Sequence, residues 1–237
     1  MADIANKEKI AAPIPTTPTI VDGETMMDSA NSFYTRNKSI VNYVGAGVLA
    51  IVAGAIAWFS YMDTQNKEAQ GQMFQAIYYF EADSLKKAIN GDGNQPGFLA
   101  IADEFAGTKA ANLAHYYLGA AYLKDGKFQE AADELDKFSA SDYLVQGRAY
   151  CLQGDAYSEL GDLVNAAKYY GKAAAYNPNK YYTPGYLMKL AIVQEAQKDY
   201  KGAAESYDKI ITKFYESQER TEAQKFKARA EGLAGGE

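Results

Sequence analysis

Cysteine and histidine are almost absent from this chain. Its 237 residues include one cysteine, Cys151, and one histidine, His115. A single cysteine cannot form an intramolecular disulfide, and this one does not sit just after a signal peptide, as the lipidated cysteine of a lipoprotein does. A metal site built on several histidine or cysteine ligands is also excluded. We interpret Cys151 as a small core hydrophobe and His115 as a core histidine satisfied by a hydrogen bond.

Basic blocks and catalytic motifs are also missing. The chain carries 24 Lys and Arg against 30 Asp and Glu, a net charge of −6, and no stretch concentrates the basic residues. This argues against nucleic acid as a partner. The sequence has no nucleophile–base pair, phosphate-binding loop or clustered acid motif, and its acids have the spacing of solvated helix faces. We therefore predict a protein that is not an enzyme, with no cofactor, no bound metal and no small-molecule substrate.

One long uncharged run stands out, at residues 40–61, IVNYVGAGVLAIVAGAIAWFSY. At about 1.5 Å per residue, a helix of this length spans roughly 33 Å, the thickness of a hydrocarbon core. Trp58, Phe59 and Tyr61 crowd its C-terminal end, as is typical of a membrane–water interface. The run is too long for a cleaved signal peptide, and 39 residues precede it. We predict a single transmembrane helix that stays as an anchor.

The charges that flank this run predict its orientation. Arg36 and Lys38 lie just before it, while Asp63 follows it. The positive-inside rule then places residues 1–39 in the cytoplasm and residues 62–237 across the membrane. The sequence thus indicates a single-pass protein of the inner (cytoplasmic) membrane with a periplasmic C-terminal domain.

The segment before the run is rich in proline. Three of the six prolines, Pro13, Pro15 and Pro18, lie in residues 1–27, so we expect a disordered or extended tail there. Residues 28–39 could form a short helix that leads into the membrane.

Small residues recur every four positions within the run, at Ala46, Ala50 and Gly54. Such a stripe lets another membrane helix approach closely, which makes these residues a candidate helix contact. Ordinary small-residue usage in a membrane helix is the alternative.

The C-terminal part of the chain repeats itself. The segment LGAAYLKDGKFQEAADELDKF, from Leu118, aligns with QGDAYSELGDLVNAAKYYGKA, from Gln153, at an offset of 35. The identical positions of this alignment include Gly119 and Gly154, Tyr122 and Tyr157, Gly126 and Gly161, and Ala131 and Ala166. A degenerate copy starts at Leu190, with Lys198 at the position of the turn glycine. Repetition at this period is typical of a helical solenoid.

This pattern resembles the tetratricopeptide-repeat (TPR) family, whose units are pairs of antiparallel helices. The resemblance implies an all-α fold in which one transmembrane helix precedes a TPR helical-hairpin solenoid. The predicted units of that solenoid are a divergent first unit at 67–107, clear repeats at 112–146 and 147–180, a degenerate repeat at 184–216, and a capping helix at 218–233. In the divergent unit we expect helices at 67–90 and 96–106, with Leu99, Ala102 and Phe105 facing inward.

The repeated residue types have physical roles in such a fold. Small residues such as Gly119 and Gly154 are expected where the two helices of a unit pack closest. A glycine at the turn, Gly126 or Gly161, is expected to end the first helix in a left-handed conformation.

TPR solenoids present a concave groove lined by the first helix of each unit. Matching the pattern gives these candidate groove residues: Leu113, Tyr116, Ala120, Leu123, Arg148, Asp155, Ser158, Met188, Ile192 and Glu195. Some TPR modules clamp the carboxylates of a partner with Lys and Asn in this groove, but this chain has Tyr116, Ala120, Cys151 and Asp155 instead. The alternative is that these side chains pack against neighbouring helices and the interface lies elsewhere.

The layout as a whole, over residues 30–237, is similar to the ancillary TPR subunits of the SecYEG translocon (YfgM-like proteins). The aromatic-basic FYTRNK before the span, AWFSY at its end and the segment FLAIADEFAGTKAANLAHYYLGAAYL support this resemblance. It implies translocon subunits, periplasmic chaperones or exported chains as partners. A structural scaffold of another envelope machine, for secretion or motility, and an organelle import receptor with cytosolic repeats are the alternatives.

Overall fold

The structure, a computed structural model, describes residues 23–235, which form eleven helices and no strand. The helices are α1 (Gly23–Arg36), α2 (Lys38–Glu81), α3 (Leu85–Asn90), α4 (Phe98–Glu104), α5 (Lys109–Lys124), α6 (Phe128–Lys137), α7 (Tyr143–Glu159), α8 (Leu163–Ala175), α9 (Thr183–Ala196), α10 (Tyr200–Lys213) and α11 (Arg220–Ala234). The chain divides into two compact units, Met1–Ala57 and Trp58–Glu237.

The first unit contains α1 and the N-terminal part of α2. The helix expected over residues 28–39 is present as α1 but begins earlier, at Gly23. The predicted disordered tail therefore differs from the structure over residues 23–27, and its first 22 residues lie outside the described part of the chain. Where α2 passes through the uncharged run, nearly all its side chains are exposed, and within the described residues it is the one helix long and apolar enough to cross a membrane.

Helix α2 is longer than the sequence predicted. The uncharged run and the first helix of the divergent unit were expected as separate helices, but α2 is continuous from Lys38 to Glu81. The chain then turns at Asp83, which has a left-handed φ of 57°, and α3 follows. The expected helix 67–90 is thus broken near its end, because Asp is among the few residues that adopt left-handed φ readily enough to form such a turn.

The second unit is a stack of helical hairpins. The pairs α5–α6, α7–α8 and α9–α10 each pack together, every pair also packs on the next, and α11 closes the series against α10. Its buried side chains form a core that runs through all the hairpins. Such a series of nearest-neighbour contacts defines a helical solenoid.

The small residues of the repeats lie where helices approach closest, as predicted. A Cβ atom on Gly119 would lie 2.4 Å from Cγ of Leu135, which is closer than any real contact. Ala131 and Ala166 are fully buried. Each hairpin therefore requires small side chains at these positions.

The turns within the hairpins also have the predicted conformation. Gly126 and Gly161 adopt left-handed φ values of 77° and 74°. Lys198, at the equivalent position of the degenerate repeat, has a φ of 64° although it is not a glycine. The next residues, Asp162 and Asp199, cap α8 and α10 by accepting hydrogen bonds from backbone N–H groups.

The inward face of α4 differs from the prediction at one residue. Leu99 is 38% exposed, whereas Phe98 and Ile101 are fully buried together with Ala102 and Phe105. Positions 98, 101, 102 and 105 follow one another at intervals of three or four residues and therefore share one helix face. The ring of Phe98 stacks on that of Tyr117 with centroids 5.0 Å apart, which holds this register.

Candidate protein-binding groove

The predicted groove residues of the first clear repeat are half-buried. Leu113, Tyr116, Ala120 and Leu123 project from α5 onto an apolar cluster contributed by α6, α7 and the loop between them. Within this cluster the rings of Tyr116 and Phe138 have centroids 5.3 Å apart. Much of the surface of these four side chains is therefore used for packing between adjacent hairpins.

Three predicted residues, Leu123, Asp155 and Ser158, line one pocket of about 410 Å³. The others around it are Phe128, Glu159, Tyr170 and Lys189. The repeat pattern did not predict these four as groove residues; they come from the second helices of two repeats and from the neighbouring first helices. Lys189 had one signal, since it is the sole cation in α9.

The charge of Asp155 is compensated within the pocket. Its carboxylate accepts a hydrogen bond from the hydroxyl of Tyr170 at 2.7 Å and forms an ion pair with Lys189. Burial, and after it the hydrogen bond to Asp155, raises the pKa of the Tyr170 hydroxyl. This part of the groove therefore offers oriented polar groups with little net charge.

The degenerate repeat continues this mixture of polar and apolar side chains. Ile192 is 51% exposed, while Met188 is buried. Glu195 accepts a hydrogen bond from the hydroxyl of Tyr207 at 3.1 Å and forms an ion pair with Arg229 of α11. Ile192 is thus the large apolar side chain that this end of the groove leaves open.

Arg148 is the predicted groove residue whose charge stays uncompensated, because it forms no ion pair within residues 23–235. Its neighbour Cys151 is buried, and desolvation raises the pKa of that thiol to about 11. The interpretation of Cys151 as a small core hydrophobe is confirmed.

His115 has the structural role predicted for it. Its Nδ1 lies 2.7 Å from Oε2 of Glu134, a residue that also pairs with Lys137. Burial opposes ionisation of Glu134, but the hydrogen bonds from His115 and Lys137 outweigh it and lower the pKa of this carboxyl group. This hydrogen bond links α5 to α6 inside one hairpin.

The small-residue stripe of the first unit lies on an open helix surface. Ala46, Ala50 and Gly54 are all exposed, and a Cβ atom on Gly54 would meet no described atom within 4 Å. The stripe is therefore accessible to another helix.

Comparisons with known proteins agree with this architecture. A tetratricopeptide-repeat family model matches residues 151–218. The fold is a TPR-like helical solenoid. A solved structure of kinesin light chain-type, nearly identical TPR-like repeats from Podosopora anserina has a TM-score of 0.56 and 16% identity, covering 72% of this chain and 88% of that one. A variant of that protein has a TM-score of 0.55 and 17% identity, with the same coverage.

A search of curated protein sequences returns no significant match. TPR repeats indicate a protein–protein interaction module, and TPR folds are typically non-catalytic scaffolds; no catalytic family is indicated.

Proposed function

We propose that this chain is a membrane-anchored interaction module of the cell envelope, an accessory of the Sec translocon that links exported proteins to periplasmic chaperones. The observation that carries the membrane part is the run of exposed apolar side chains along α2 over residues 40–61. The interaction part rests on the TPR-like solenoid in residues 58–237.

The exposed run is far more apolar than a water-exposed helix tolerates. Residues such as Leu49, Ile51 and Ile56 have exposed fractions of 71%, 73% and 64%. Each large aliphatic side chain gains about 1.5–3 kcal/mol when it leaves water. A bilayer offers that gain to every side of the helix at once, which a single protein contact does not.

The same helix also belongs to the repeat domain. Ala69, Met73 and Ala76 of α2 are buried in the core of the second unit. Asn66 accepts a hydrogen bond from the backbone N–H of Ala110, in the first turn of α5, at 2.9 Å. The C-terminal part of α2 is therefore a structural element of the second unit.

A first experiment tests orientation. A reporter active only in the periplasm is fused after Glu237. In a separate assay, membranes that contain the full chain are washed with alkaline carbonate, which removes proteins that are not embedded in the bilayer. We expect an active reporter and a protein that stays in the pellet, since Arg36 and Lys38 lie on the cytoplasmic side. A silent fusion that is stably made would refute the orientation and favour cytosolic repeats.

A second experiment tests the partner. Attachment at two points is expected, with the membrane helix and the repeat groove each binding weakly and together binding firmly through effective concentration. Fragments 63–237 and 1–66 should each co-purify with the translocon much less than the full chain. If fragment 63–237 alone associates fully, the helix is only a tether.

The groove itself is tested in the full chain with Ile192→Asp, which replaces the exposed apolar side chain of the groove with a charged one. Val164→Asp is the matched control, since Val164 is exposed on the second helix of a repeat. We expect only Ile192→Asp to weaken co-purification. If even the unsubstituted chain captures no translocon subunit, the proposed role in export is refuted. The alternative function, a structural scaffold of another envelope complex, is then favoured.

A further inference from the structure

A second apolar groove lies on another face of the repeat domain. It runs between α8 and α10, over α9, and encloses about 330 Å³. Its floor is formed by Leu187 and Leu190 of α9. With about 100° of rotation per residue, these side chains lie on a different side of α9 from Ile192 and Glu195. The groove is therefore separate from the predicted concave surface.

Small residues on α8 leave this groove open. Gly171 and Ala174 form its wall on that side, and a Cβ atom on Gly171 would meet no described atom within 4 Å. A methyl group at this position would therefore enter open space without striking its neighbours. The groove therefore contains open space beside Gly171, and this space is accessible from solvent.

The opposite rim carries positive charge. Lys209 and Lys213 are both exposed, lie one turn apart on α10 and line the groove, which has no Asp or Glu among its lining residues. Neither lysine forms an ion pair with another residue of the described chain. Like charges one turn apart repel each other slightly, so an anionic partner beside both lysines would relieve this repulsion.

We infer that this groove docks an acidic amphipathic helix of a partner protein. An apolar side chain of that helix inserts between α8 and α10 onto Leu187 and Leu190, and carboxylates one turn apart reach Lys209 and Lys213. Binding of a helix in an apolar groove uses anchors at such helical spacing, and the lysine rim selects for charge. The inference goes beyond the proposed function and does not depend on membrane anchoring, since all the residues involved lie in the second unit.

The test is a selection from a displayed library of 18-residue amphipathic helices, with one apolar face and outer positions varied among acidic, basic and neutral residues. The target is the full chain in detergent. We expect the enriched peptides that lose binding to the Gly171→Leu variant to carry acids one turn apart. The doubly substituted Lys209→Glu, Lys213→Glu protein should bind them about tenfold or more weakly and should select basic peptides instead.

Matched controls separate the groove from general effects. Gly232→Leu makes the same change in α11, where a Cβ atom also meets nothing within 4 Å. Lys201→Glu makes one such charge reversal at an exposed position of α10 outside the groove, and is compared with Lys209→Glu alone. Both should bind the selected peptides as the unsubstituted chain does. Circular dichroism checks that each variant folds.

Three outcomes overturn the inference. In one, no enriched peptide is sensitive to Gly171→Leu; in another, the sensitive peptides show no acidic preference. The third is that Gly171→Leu abolishes self-association in sedimentation, or binding to anionic vesicles, rather than peptide binding, which would assign the groove to a second copy or to lipid. All of these are distinguishable from failure of the proposed function, because none measures membrane insertion or translocon capture.

Discussion

Gly154 of α7 lies directly against the ring of Tyr170 on α8: a Cβ atom on Gly154 would stand 2.5 Å from Cδ1 of that ring. Tyr170 cannot swing away, because it is buried and its hydroxyl is bound to Asp155. Gly154→Leu, and Ala166→Leu in the facing helix, should each lower the free energy of unfolding by about 1–3 kcal/mol or more. Urea denaturation followed by circular dichroism measures this.

Gly171 is the control for that prediction. It is a helical glycine with open space around its Cβ position, so Gly171→Ala should leave stability unchanged or raise it by about 0.5–1 kcal/mol. Equal losses in Gly154→Ala and Gly171→Ala would mean that the close approach of α7 and α8 is not the cause.

Lys198 occupies the left-handed turn position at which the two clear repeats have glycine. An L-residue in this conformation costs roughly 1–2 kcal/mol, which glycine would avoid. Part of that gain in stability is offset, because glycine has more freedom in the unfolded chain and loses more entropy on folding. We expect Lys198→Gly to raise the thermal midpoint and Gly161→Ala, with a φ of 74°, to lower it. A thermal melt in which Lys198→Gly destabilises the chain would contradict this.

Cys151 should be unreactive in the folded chain. Its pKa is raised by burial from 9.0 to about 11, so little thiolate forms near neutral pH and the sulfur is out of reach of reagents. A thiol reagent should label it rapidly only in denaturant. Fast labelling of the native chain at pH 8 would show that α7 is more open than described.

The raised pKa of Cys151 also makes the free energy of unfolding decrease with pH in the alkaline range. The folded state holds the thiol proton more tightly than the unfolded state, so this contribution is complete below pH 9 and is lost as pH rises toward 11. Tyr186, whose pKa burial raises to about 12, acts in the same direction at higher pH. Denaturation midpoints at successive pH values should decline over this window, and Cys151→Ala should reduce the decline.

Asp155 and Lys189 join two successive repeats across the groove. The Asp155 side chain is 22% exposed and that of Lys189 is 44% exposed, so solvent screens the pair only in part. A double-mutant cycle with Asp155→Asn and Lys189→Met should give a coupling free energy of about 1 kcal/mol. Additive effects would show that the pair contributes no stability.

Features that repeat along the chain, or that depend only on neighbouring residues, follow from the sequence alone. The period of 35 between Gly119 and Gly154 predicts hairpins, because each small residue marks a close helix contact. Gly126 and Gly161 predict left-handed turns from backbone sterics alone. These statements need no knowledge of what lies across the core.

Features that depend on residues distant in the chain follow only from the packing of the helices against one another. Phe98 rather than Leu99 faces the core because the ring of Tyr117, on a different helix, stacks on it. Asp155 meets Lys189 because α7 and α9 line one pocket, although 34 positions separate them in the chain. The groove beside Gly171 exists because α8 and α10 stand apart over α9. Local preference chooses a helix and its ends, but packing between helices chooses which side chains meet and which space stays open.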